Sequence, residues 1–75
     1  MIRTDLLKGE IARAGYSQSK LANDLGISSK TFYSKMKKGV FNSNEIDAII
    51  EILGIKNPVS IFFAKKVSSE ETFDN

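Results

Sequence analysis

The sequence predicts an all-α domain of four to five short helices arranged around a central helix-turn-helix. Three observations carry this. Apolar residues recur at helical spacing in successive segments, as in Leu7/Ile11, Leu21/Leu25, Phe32/Met36 and Ile46/Ile50. A glycine follows each segment (Gly15, Gly26, Gly39, Gly54), where the left-handed conformation that ends a helix is cheap only for glycine. A Thr, Ser or Asn precedes each one (Thr4, Ser17, Ser28, Asn42), able to cap the free N–H groups of a first turn.

Thr4 to Ala14 reads as the first helix, capped by Thr4, with Asp5 favouring its positive end. Leu7, Ile11 and Ala14 form its buried stripe and Leu6 widens it. Tyr16 precedes the Ser17 cap and either staples that entry or packs at the core edge. Gln18 opens a second helix that buries Leu21, Ala22 and Leu25 and stops at Gly26. Ile27 anchors the turn, and Ser28 caps a third helix over 28–38 that buries Phe32 and Met36. Ser29, Lys30, Tyr33, Ser34 and Lys37 are left facing outward. A basic, hydroxyl-rich face on a helix packed across another is what the major groove of DNA requires.

Gly39 closes that helix, and Val40 and Phe41 tuck the following loop into the core. Lys37 and Lys38 suit the negative end of a helix whether or not they meet a ligand. Asn42 to Leu53 is the next helix, with Asn42 and Glu45 at capping-box spacing, although Ser43 is an alternative cap. Ile46, Ile49, Ile50 and Leu53 are its buried stripe. Its acids Asp47 and Glu51 lie on the other face as solubilising charge, with no accompanying residue to suggest metal or acid–base chemistry. Pro58 opens a last short helix capped by Asn57. Of Ile61, Phe62 and Phe63, one or two close the core. The remainder, at Phe62 and Phe63, is a possible partner surface. Residues 67–75 are polar and acidic and read as a flexible C-terminal tail, so residues 1–66 are the expected domain.

Composition narrows the function. A chain of 75 residues allows one small domain. It has no Cys and no His, which excludes a disulfide scaffold, the usual zinc sites and any catalytic arrangement needing a His base or Cys nucleophile. No cofactor is expected, and no apolar run is long enough for a membrane helix. A charged N-terminus argues against a signal peptide, so the expectation is a soluble cytoplasmic protein that is not an enzyme. The net charge of +2 divides unevenly. Residues 1–40 hold eight Lys or Arg against three acids, and residues 41–75 hold three Lys against six acids. The basic half points to a polyanion, and a merely solvated surface is the alternative.

The run Gln18, Leu21, Ala22, Leu25, Gly26, Ile27, Ser28, Phe32 resembles the helix-turn-helix of phage Cro and lambda-repressor-like regulators, a likeness covering roughly Thr4 to Ala64. One departure is Lys35, which sits where many members carry an apolar residue and whose packing Met36 takes over. The resemblance implies a lambda-repressor-like DNA-binding domain in which Gln18 touches a phosphate and Ser28, Ser29, Lys30, Tyr33, Ser34 and Lys37 face the groove, with Lys38 and Lys20 adding phosphate pairing. The implied function is a small transcriptional regulator of phage or prophage type, binding a double-stranded operator, with a homodimer on a palindromic site supplying specificity. A rival reading is an antirepressor-type protein that uses the same fold to bind another repressor. The aromatic end, the acidic second half and the lack of Arg on the recognition face favour that rival.

Overall fold

The computed structural model describes residues 2–63, and every regular element among them is an α-helix. The helices are α1 (Thr4–Arg13), α2 (Gln18–Leu25), α3 (Ser29–Lys38), α4 (Ser43–Leu53) and α5 (Pro58–Phe62). α2 packs on both α3 and α4, while α1 packs on α5. Phe32, Leu7, Leu21 and Ile49 are fully buried at the centre, one from each of the four longer helices. Ala22 is also fully buried on α2, where its small side chain permits close approach. Phe32 is the largest of the buried group and its ring lies 5.5 Å from that of Phe41. Ile2, Ile55, Ile61 and Phe62 complete the base of the core.

The start and stop signals work largely as the sequence implies. The Ser17 hydroxyl accepts from the Lys20 N–H at 3.0 Å and the Ser28 hydroxyl accepts from the Thr31 N–H at 3.1 Å. Asn42 and Glu45 form a full capping box, each side chain accepting from the other's backbone N–H, which decides in favour of Asn42 over Ser43. Gly26, in the turn between α2 and α3, has φ +79°, and its N–H donates to the Asn23 carbonyl. A side chain there meets no neighbour, so the demand for glycine comes from the backbone conformation alone.

Several expectations are corrected. Thr4 is the first residue of α1 rather than its cap: Arg3 occupies the cap position, and its backbone N–H is pinned to the Ile61 carbonyl at 2.7 Å. Leu6 is 38 % exposed, because α1 needs only its Leu7/Ile11 edge to reach the core. Val40 is 63 % exposed while Phe41 is buried. The Val40 N–H closes the end of α3 by donating to the Lys35 carbonyl, and this throws its side chain outward. Asn57 makes no side-chain cap for α5; instead its carbonyl accepts from the Ser60 hydroxyl at 3.1 Å. Leu25, Ile46 and Ile50 are half-buried at the edge of the core rather than fully inside it. The expected tail, residues 67–75, lies outside the described residues.

Candidate nucleic-acid interface

α3 is held to the body by Phe32 and Met36, the two residues on it that are fully enclosed. Most of its remaining circumference is exposed. Lys30, Tyr33, Ser34, Lys37 and Lys38 are exposed, Ser29 is half-buried, and the Ser28 cap is exposed at its N-terminal end. Met36 does take the inward position, and Lys35 leans to the side, where its ammonium meets Glu45 Oε1 at 3.2 Å. That pair ties α3 to the first turn of α4 and fixes which face of α3 points out.

The hydroxyls on this surface are not equally available. Ser28 donates to Thr31 Oγ1 at 2.9 Å while accepting the Thr31 N–H, so one acceptor lone pair is left to face outward. The Ser34 hydroxyl has no hydrogen-bond partner among the described residues and keeps both capacities. The Tyr33 hydroxyl lies 3.5 Å from that of Ser19 across the α2–α3 junction, and the Tyr33 ring is set edge-on to Phe32 at 6.4 Å. Tyr33 is therefore steered by both helices. The sequence does not single out Ser19. Its position, second in α2, was legible, but its meeting with Tyr33 depends on how the two helices cross.

Gln18 is half-buried at the start of α2, and its N–H and that of Ser19 precede the first intrahelical bond. Lys20 is diverted, with its ammonium lying 5.3 Å from the centroid of the Tyr16 ring. Tyr16 itself donates to Asp24 at 3.1 Å, and the hydrogen bond to that carboxylate pushes the phenol above its ordinary pKa. Phe62 is not available for any partner, being 5 % exposed and part of the core; Phe63 is 55 % exposed. The pairing of the two as one surface is thus undone by the turn of α5, which sends adjacent residues to different sides.

Two shallow depressions flank α3. One is lined by Lys30, Thr31, Ser34, Lys35, Lys38 and Val40. The other joins three helices, with Thr4 and Lys8 from α1, Gln18 from α2, and Tyr33, Met36 and Lys37 from α3. Neither is lined by a carboxylate. A third depression elsewhere mixes Glu10, Arg13, Lys56 and Asn57. Arg3 is paired with Asp5 and Arg13 with Glu10, whereas Lys8, Lys30, Lys37 and Lys38 have no carboxylate partner among the described residues. No cluster of three or more metal-type ligands and no helix able to cross a membrane occurs among the described residues.

Residues 5–39, running from the first turn of α1 to the Gly39 cap of α3, match the sequence profile of a family described as bacterial regulatory protein, Fis family. The match covers a little under half of the chain and contains the whole α2–turn–α3 unit. No curated protein sequence and no solved structure gives a match. Together with an all-helical fold that sets α3 between two hollows lined by no carboxylate, this likeness supports a DNA-binding transcriptional regulator of the helix-turn-helix kind.

Proposed function

We propose that this chain is a sequence-specific DNA-binding regulator of the Cro and repressor type, working in the cytoplasm of a bacterium on a phage or prophage operator, with α3 as the helix that enters the major groove. One observation carries the reading: α3 buries only two side chains, and the face it turns outward holds three lysines with no carboxylate partner among the described residues, set among hydroxyls with no acid. The assignment of roles follows from what each group can still do. Lys30, near the N-terminal end of α3, reads a guanine edge. Ser34, with donor and acceptor both free, and Ser29 hydrogen-bond to bases. Ser28, limited to accepting, faces a base amino group and cannot donate to a phosphate. Tyr33 contacts base or backbone from its position beside Ser19. Gln18, with the free N–H groups at the start of α2, holds a phosphate, as do Lys37 and Lys38.

No arginine lies on the face, so one domain discriminates modestly, and two domains on a palindrome about one helical turn apart supply the rest. The domain is taken as residues 1–66. The antirepressor reading loses Phe62 to the core and keeps Phe63, the acidic second half and the lack of Arg on the recognition face.

Fluorescence-anisotropy titration of a duplex carrying the gene's own upstream region, at two salt concentrations, tests the proposal. Tight binding that weakens steeply with salt is expected. Lys30→Ala should relax sequence preference, costing about 1–3 kcal/mol on the preferred site, and Lys37→Ala should weaken all duplexes alike. Binding no tighter than to random DNA, and indifferent to both substitutions, would overturn it and direct attention to a repressor partner at Phe63.

A further inference from the structure

α1 belongs by sequence to the scaffold, yet Lys8 does not behave as a scaffold lysine. The two acids of α1 are both engaged. Asp5 takes a two-pronged bond from Arg3, at 3.1 and 2.8 Å, and Glu10 takes one from Arg13 at 2.7 Å. Lys8 is exposed with no carboxylate partner among the described residues, and it lines the same depression as Lys37 of α3. The other polar groups lining that depression are the Thr4 hydroxyl, the Gln18 amide and the Tyr33 hydroxyl, each with a proton to donate. Two lysines bordering one hollow, beside hydroxyls and an amide that can donate, suit an acceptor-rich anion.

We propose that this hollow seats a backbone phosphate of the bound duplex, held by Lys8 together with Lys37, Gln18 and Tyr33, so that α1 forms part of the DNA interface. The inference rests on the DNA-binding reading and adds a second strand to it. An α-helix with its side chains is about 10–12 Å across and the major groove about 12 Å wide, so a helix lying in the groove brings its two flanks close to opposite phosphate walls. Lys30 and Lys38 line one flank of α3, and Lys8 and Lys37 line the other. The pair on the second flank comes from two helices far apart in the chain, which makes it a check on how the body sits over the groove rather than on α3 alone.

The test is the salt dependence of DNA binding by the full chain, comparing wild type, Lys8→Gln, Lys8→Arg and Lys56→Gln. Lys56→Gln removes the same charge from an exposed lysine in the mixed depression with Glu10 and Arg13. Lys8→Gln is expected to weaken preferred and random duplexes by the same factor and to reduce the log–log salt slope by about 0.9, with Lys8→Arg restoring it and Lys56→Gln leaving it unchanged. Matched thermal melts confirm that the variants are folded. If the wild type binds steeply and Lys8→Gln shifts the slope no more than Lys56→Gln, the phosphate seat is wrong and the DNA-binding reading stands. If the wild type shows no salt-dependent binding to DNA, both fall together.

Discussion

α3 and α4 are nearly the same length and are built with the same devices, a side-chain cap at one end and a left-handed glycine at the other. What they do with their circumference is opposite. α4 buries Ile49 and Leu53 and rests Ile46, Ile50 and Ile52 against the core as well, so apolar contact wraps much of the helix. α3 buries Phe32 and Met36 and has no further apolar residue resting on the core. The outward charges are opposite too. α3 carries four lysines and no acid, and α4 carries three acids and no base. Helical stability in a small domain comes mainly from packing an apolar face. α4 is therefore seated broadly in the core, and α3, packed on α2, is held by fewer apolar side chains. A helix fastened along one narrow line keeps the rest of its surface for a partner.

The strongest way to break that contrast is Phe32→Ala. If α3 hangs on two residues, losing the larger one should cost about 3–5 kcal/mol, enough to unfold a marginal domain, whereas Ile50→Ala on the more broadly seated α4 should cost clearly less. Denaturant titrations followed by circular dichroism decide it; equal losses would mean that α3 is packed as broadly as α4. Next in size is Glu45→Ala, which removes both half of the α4 capping box and the partner of Lys35. It should lower stability by about 1–2 kcal/mol, and the same denaturant titration measures it.

A smaller effect should come from Gly9→Ala, in the middle of α1. A side chain there meets nothing within 4 Å and the backbone is helical, so stability should rise by about 0.5–1 kcal/mol in thermal melts, without altering DNA binding. The smallest concerns the exposed Arg3–Asp5 pair. The hydrogen bond from Arg3 holds the Asp5 carboxyl below its ordinary pKa of 3.8. A carboxyl lowered on folding adds stability that is fully present above the unfolded value and disappears as pH falls through the folded one. Asp5→Asn should therefore lower stability slightly at neutral pH, with the difference from wild type vanishing as pH falls below about 4, so that the acid limb of the stability–pH curve is flatter.

These contrasts also separate what could be read locally from what could not. The position of α2, the Gly26 turn and the Ser28 start of α3 follow from caps, terminators and an i, i+4 apolar pair, all within a few residues of one another. The capping box of α4 and the outward set on α3 follow in the same way, because a regular helix assigns directions to side chains by spacing alone. The misplaced residues, Leu6, Val40 and Phe62, are each next to a residue of similar character that went the other way, to core or to solvent. Which neighbour is buried is set by where another element lies, and apolar character does not carry that information.

By itself, then, the sequence determined the helices, the caps and stops of α2, α3 and α4, the sign of charge along the chain and the hydroxyl- and lysine-bearing face of α3. The tertiary structure alone decided which charges are neutralised and which are left over. Arg3 and Arg13 find carboxylates on α1, Lys35 finds Glu45 across a helix junction, and Lys8 and Lys37 are brought to one hollow from helices distant in sequence. Charge is a property of residues, but an unpaired cluster of it is a property of distances. Those distances are set by the packing of α2 on α3 and α4 and of α1 on α5, around a core centred on Phe32.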